Sequence, residues 1–261
     1  MHVNPSLYVT LLLTLILFIG GYLLAKQVKH RLLCLGIFAS LSVITLLIPM
    51  TYLVDTLGEQ PWYCTFRALP YIEALVSLSA LTAGFLAYMW KKRIVLLIII
   101  PAVLFIYVCV PFIKTIALPL NLDVLSSERW SEDVCFQSSG STCGPASLAT
   151  IMRSMGLERK EREIAKAAYT GSTGTENWYL ARYAKAQGLK PKFLNCQSIN
   201  DVPVHSIVGV KLGNNIGHFI TLLPSDTDKL VIGEPLAGRL ELTINEFNEK
   251  YRFTGFVLTF N

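Results

Sequence analysis

The stretch QSSGSTCGPASLAT, residues 137–150, sets a cysteine where a thiol becomes reactive. Ser141 or Thr142 can cap a helix, Pro145 is tolerated only in a first turn, and Gly156 is a stop signal. The spacing therefore predicts a helix over 143–155 with Cys143 at its start. Unpaired amides and the helix dipole favour negative charge there, hence thiolate over thiol. Gly144 keeps the neighbouring backbone open to a substrate. A thiolate nucleophile needs a base, and the chain has four histidines. His2 and His30 lie in or beside the apolar first half, and His205 sits in a polar connection after Pro203. His218 opens the strand-like NIGHFITLL after a glycine, and is the expected base. Its second ring nitrogen needs an acceptor; Glu234, ending the next strand in KLVIGEPLAG, comes beside it if the two strands form a hairpin. Gln137, six residues before Cys143, offers an amide for an oxyanion hole together with the Cys143 backbone N–H.

The elements that must hold these residues follow from pattern. ERKEREIAKAAY and TENWYLARYAKAQG read as helices, the second ended by Gly188. KPKFLNC, SIVGVKL, GHFITLL and KLVIGEP are short β-rich runs separated by GNNI and PSDTD, the pattern of an antiparallel meander. TINEFNEKY is a short helix with Thr243 as cap and Glu246 three residues on, and FTGFVLTF closes the sheet. Helices followed by strands give an α+β domain. Trp178 and Tyr179 are expected in its core rather than on a substrate platform.

Gln137, then Cys-Gly-Pro-Ala at 143–146, then Gly-His-Phe at 217–219, then Glu234-Pro235 resembles the C39 cysteine peptidases. The resemblance covers about residues 130–261, including GRLELTINEFNEKYRFTGFVL. It implies a papain-like fold and cleavage of leader peptides after small residues such as a Gly-Gly pair. It further implies Cys143 as nucleophile, His218 as general base and acid, and Gln137 as oxyanion donor. Glu234 falls where that family usually carries aspartate, and its extra methylene requires a shifted backbone. The family's exporter members carry the domain at a cytoplasmic N-terminus before an ATPase. Here it is C-terminal, and the chain has no GxxxxGK[ST] phosphate loop.

The first half is of another kind. The chain of 261 residues is 52% hydrophobic and 16% charged with net charge +5. Residues 1–120 hold eight Lys/Arg and three Asp/Glu, against fifteen of each in 121–261, so the excess charge belongs to the first half and no basic patch argues for nucleic acid. Four apolar runs, about 7–25, 32–54, 68–90 and 94–120, are each long enough to cross roughly 30 Å of hydrocarbon. Glu73 is a charge inside the third. The first run lacks a basic n-region and a cleavage site, so it reads as an anchor and not a signal peptide. Six of the eight basic residues sit in KQVKHR (26–31) and WKKR (90–93), whereas DTLGEQPWYCTFR (55–67) carries two acids and one Arg. The positive-inside rule then sets 26–31 and 90–93 in the cytoplasm and everything after Leu120 outside it.

The expected architecture is a four-span transmembrane bundle, residues 1–121, followed by an α+β papain-like cysteine peptidase domain with an antiparallel sheet, residues 122–261. The expected location is a bacterial inner or plasma membrane, with the peptidase domain extracytoplasmic. In that compartment Cys64, Cys135 and Cys196 are available for a disulfide, while Cys34 and Cys109 are packing residues. No CxxC pair or Cys/His zinc spacing occurs, which argues against disulfide exchange and against a metal centre. No cofactor is expected. The partners expected are a peptide or small-protein substrate, the lipid bilayer, and an export or signalling protein in the membrane. An acyl transferase using the same thiol, or a degenerate peptide-binding domain, are the rival functions.

Overall fold

In a computed structural model the described residues are 4–52, 54–125, 128–213 and 215–261; His2, Leu53, Ser126, Ser127 and Asn214, all within stretches discussed above, lie outside them. The chain divides into two compact units. One comprises Val3–Leu57 and Tyr71–Ile116; the other joins the connector Gly58–Pro70 to Ala117–Asn261.

The first unit is helical: α1 Ser6–Gln27, α2 Arg31–Thr45, and beyond the connector helix α3, Pro61–Arg67, the helices α4 Ser79–Met89 and α5 Ile94–Cys109. Among the described residues three stretches are long and apolar enough to cross a membrane: Ser6–Gln27, Ile72–Met89 and Ile94–Ala117. The second apolar run falls short of the expected 32–54, because α2 spans 15 residues, about 22 Å at 1.5 Å per residue. Pro49 lacks an N–H and disfavours helix in the residue before it, so the run passes through turns into the 3₁₀ segment Pro49–Tyr52. Pro111 likewise breaks the last stretch into α5, a 3₁₀ turn and α6, Ile113–Ala117. Glu73 is buried in the 3₁₀ start of the second of these stretches, Ile72–Met89. Inside this unit α1 and α4 touch backbone to backbone: a Cβ at Gly21 or Gly84 would strike Leu81 or Phe18, the close approach that small residues permit between apolar helices.

The second unit begins with a hairpin that the sequence pattern did not reveal, β1 Arg129–Ser131 and β2 Val134–Phe136, turning at Glu132 with φ of 54°. Helices α7 Cys143–Ser154, α8 Glu161–Ala167 and α9 Asn177–Ala186 follow. Gly156 and Gly188 end α7 and α9 at φ of 79° and 94°, the left-handed backbone that glycine adopts without strain. Strands β3 Pro191–Asn195, β4 Ser206–Lys211, β5 Gly217–Leu223, β6 Leu230–Glu234, β7 Gly238–Leu242 and β8 Arg252–Phe260 make one antiparallel sheet, order β3-β8-β4-β5-β6-β7. Of the four runs expected to form a meander, β4, β5 and β6 do so and β7, which the pattern did not reveal, continues it; β8 inserts between β3 and β4. Thr243 and Glu246 make the expected capping box on α10, Ile244–Lys250. The sheet core gathers Val208, Ile220, Leu222, Ile232 and Val257 with Phe247 and Tyr251 around α10. Helix α7 packs against β5 and β6: Ser147 Oγ donates to Phe219 O at 3.2 Å, and a Cβ at Gly233 would press on Thr221 and Thr150.

Candidate active site

Cys143 is the first residue of α7, as its sequence predicts. Thr142 occupies the N-cap but does not cap with its side chain; its hydroxyl accepts from Ser139 N and donates to Ser139 O, both at 3.1 Å. The opening amides of the helix have no intrahelical acceptor, so the Cys143 N–H stays available to an incoming oxyanion. Gly144 serves packing rather than openness: a Cβ there would lie 3.0 Å from Leu180.

Three of the four expected site residues come together. His218, at the second position of β5, bonds Glu234 and lines the same cleft as Cys143. Its Nε2 lies 2.6 Å from Glu234 Oε1; since a carboxylate only accepts, Nε2 carries the proton and Nδ1 is left for the thiol. Glu234 is 3% exposed, and takes two further bonds, from Tyr251 Oη to Oε2 at 2.6 Å and from Leu236 N to Oε1 at 3.1 Å. The strand register sets the gap that the Glu234 side chain crosses. β5 and β6 pair Thr221 with Gly233 and Leu222 with Ile232, so continuing the register sets Glu234 opposite Ile220, a diagonal neighbour of His218. Diagonal partners stand about 7–8 Å apart, a gap that the Glu234 and His218 side chains close between them.

The charges agree with the geometry. Burial opposes the imidazolium, but the Cys143 thiol and the Glu234 carboxylate outweigh it and raise the His218 pKa from 6.5 to about 9. Burial also opposes the Glu234 carboxylate, but bonds from His218 and Tyr251 overcome it, holding that group below the usual 4.5.

His205, the histidine set aside, belongs to another place: it bonds Ser154 Oγ at 3.0 Å at the far end of α7, eleven residues or about 16 Å from Cys143. Gln137 is not among the residues lining the cleft. Its Nε2 donates to Ser139 O at 2.8 Å, and its Oε1 is buried without a partner. An amide nitrogen carries two hydrogens, so one remains. All six cysteines are free, so the disulfide considered for Cys64, Cys135 and Cys196 does not form. Burial pushes the Cys64 thiol up to about 12 and raises those of Cys135 and Cys196. These thiols sit in α3, in β2 and after β3, and Cys64 Sγ donates to Gly58 O at 3.0 Å. Among the described residues no group of three or more His, Cys, Asp or Glu is placed to hold a metal.

Sequence reasoning missed three contributors. Tyr251, after α10, holds Glu234. Glu161, in the charged run ERKERE, is 1% exposed, and accepts from Ser138 N at 2.8 Å and from the Ser138 hydroxyl, anchoring the loop before Cys143. The connector 58–70 supplies Glu59 to the cleft. That cleft, about 250 Å³, is bounded by Cys143 and His218, by Gly140, Gly174, Gly209 and Gly217, and by Phe219 and Phe256. Of these neighbours Gly217 and Phe219 were visible in the motif around His218; a buried glutamate in a charged run and a tyrosine after a helix carry no pattern of their own.

The model of the Peptidase C39 family matches residues 131–261. The chain belongs to this family. An uncharacterized protein of Methanothermobacter thermautotrophicus is 32% identical over 139 residues, 53% of this chain and 95% of the relative. One from Methanothermobacter marburgensis is 32% identical over 127 residues, 49% of this chain and 87% of that protein. Among solved structures, the peptidase domain of Streptococcus ComA, a bi-functional ABC transporter, is similar at 22% identity with a TM-score of 0.42, over 48% of this chain and 94% of that domain. A double glycine motif protease from an AMS/PCAT transporter, in complex with its leader peptide, aligns at 19% identity with a TM-score of 0.41, over 52% of this chain and 91% of that chain. This C39 domain thus follows a helical region with apolar candidate spans.

Proposed function

We propose that the chain is a membrane-anchored cysteine peptidase that cuts a peptide or leader sequence through a thioester on Cys143. The observation that carries it is Cys143 and His218 lining one cleft, with His218 held by Glu234 and Glu234 by Tyr251. The His218 imidazolium stabilises a Cys143 thiolate, which attacks the peptide carbonyl. The Cys143 N–H receives the oxyanion. His218 then passes its Nδ1 proton to the leaving amine, and water, deprotonated by the same nitrogen, hydrolyses the thioester. Glu234 keeps the ring in the one tautomer and orientation that serve both steps. The glycines around the cleft suit a substrate with small residues before the cut.

The connector supports the proposed orientation. Gly58–Pro70 and Ala117–Asn261 form one compact unit, so both lie on the same side of the bilayer, and the chain between them crosses an even number of times. With 90–93 cytoplasmic between two crossings, the peptidase domain is extracytoplasmic. A second run crossing as α2 plus the Pro49–Tyr52 turn completes four spans, with the domain boundary near residue 122.

Incubating the full chain in nanodiscs with a peptide pool and reading new termini by mass spectrometry tests this reading. Cleavage that vanishes in Cys143→Ala and His218→Ala is expected. Ligated products in place of free acids would make the enzyme a transferase, and cleavage that survives Cys143→Ala would end the proposal.

A further inference from the structure

The peptidase cleft has a wall that comes from between the apolar runs. Connector residues Tyr63, Cys64 and Arg67 are fully buried in the peptidase unit. One helix holds both ends of the segment. Asn177 Nδ2 donates to Gly58 O at 2.7 Å, and Arg182 donates to Arg67 O at 2.6 Å. Between these, the Arg67 guanidinium stacks 4.3 Å over the Trp178 ring and donates to Tyr63 Oη at 3.0 Å. Trp178 and Arg182 are four apart on α9, hence on one face. Gln60 is extended and Pro61 starts α3, so the backbone on both sides of Glu59 is fixed.

Glu59 is thereby held at the cleft, with Cys143 and His218 in the same lining. Only one other charged residue, Lys211 at the end of β4, lines it apart from His218. Burial raises the Glu59 pKa, which the Lys211 charge partly offsets. Among the described residues neither forms an ion pair within 4.0 Å. A carboxylate set at the edge of a catalytic cleft and not already neutralised by a salt bridge is equipped to take a cation.

Building on the peptidase reading, we propose that the connector is the specificity wall of the enzyme, and that Glu59 selects peptides with a Lys or Arg side chain close to the scissile bond. The membrane half thus contributes to substrate choice directly. Lys211 opposes the selection and sets its strength.

The test uses the full chain in nanodiscs and one peptide series in which Lys, Gln or Glu is moved through the positions flanking the cut. Initial rates are compared for wild type, Glu59→Gln, Glu59→Lys and Lys211→Met. A charge pair at an exposed site such as Glu59 is worth up to about fivefold. Wild type is expected to favour Lys over Glu by about that factor at one or two positions. Glu59→Gln should level the preference, Glu59→Lys invert it and Lys211→Met sharpen it. The same peptides are titrated onto Cys143→Ala carrying each substitution. Cleavage with the same charge ranking in all variants overturns the wall and leaves the peptidase reading standing. Binding that follows Glu59, without cleavage by wild type, keeps the wall and sinks the peptidase reading. Neither binding nor cleavage sinks both.

Discussion

Replacing Glu234 by Gln removes one charge and about no volume, so its effect isolates what the carboxylate does for His218. The rise of the His218 pKa from 6.5 to about 9 corresponds to about 3 kcal/mol at 1.36 kcal/mol per pH unit. Burial works against that rise, and the Cys143 thiol and the Glu234 carboxylate together produce it. Loss of the carboxylate is expected to lower the His218 pKa by on the order of one unit, about tenfold in the equilibrium between thiolate–imidazolium and neutral thiol–imidazole. The amide of Gln also presents an N–H to one of the donors now bonded to Glu234, the His218 ring or the Tyr251 hydroxyl. The expected outcome is Cys143 alkylation by iodoacetamide at pH 7 slowed about 10–30-fold. In substrate cleavage the alkaline limb should move to lower pH. Glu234→Asp keeps the charge but shortens the diagonal reach, and should fall between wild type and Gln. Rates for Glu234→Gln equal to wild type from pH 5 to 9 would refute the reasoning.

Four further outcomes follow from the same contacts. Because the folded His218 pKa is raised, its stabilisation is complete below about 6.5 and fades as pH climbs through about 9. That of Glu234 is complete above about 4.5 and is lost on acidification below it; denaturant titrations should therefore give greatest stability between these limits, flattened in His218→Ala. Tyr251→Phe leaves buried Glu234 Oε2 short of its donor, and urea melts should show a loss of about 2 kcal/mol with only a few-fold drop in rate. Trp178→Ala removes the plane under Arg67 and opens a cavity; a loss of about 3–5 kcal/mol is expected in the peptidase unit, visible as early protease nicking in the connector. Glu161→Ala deprives Ser138 N of its acceptor, and hydrogen exchange across 137–142 should quicken while α7 stays protected.

How much was legible depended on whether chemistry was written locally. Cys143 at a helix start, the capping box at Thr243 and the glycine stops at 156 and 188 are encoded within a few residues each, and the structure carries all of them. His218 was separable from His205 because one opens a strand and the other a connection, and the pairing of β5 with β6 sets Glu234 beside His218. What escaped were contacts across large separations. β8 enters the sheet between β3 and β4 from the end of the chain, an order that no local period records. The burial of Glu161 within six consecutive charged residues depends on the loop it anchors. The connector was read only for its two acids and one Arg, yet Arg67 and Tyr63 find their partners on a helix more than a hundred residues away. The second apolar run was overextended because composition continues through Pro49 whereas a helix does not. Gln137 is the residue for which spacing and geometry speak differently, since its amide is already engaged by Ser139 O.

The central claim is that Cys143, alone among six cysteines, is a peptide-directed nucleophile armed by His218. A biotinylated peptidyl acyloxymethyl ketone with small residues before the warhead requires both recognition and an activated thiolate, and its adduct can be located by mass spectrometry on the intact chain. Labelling confined to Cys143, and lost in His218→Ala, is the predicted result. Labelling of Cys196 at a similar rate, or of Cys143 unchanged in His218→Ala, would contradict it.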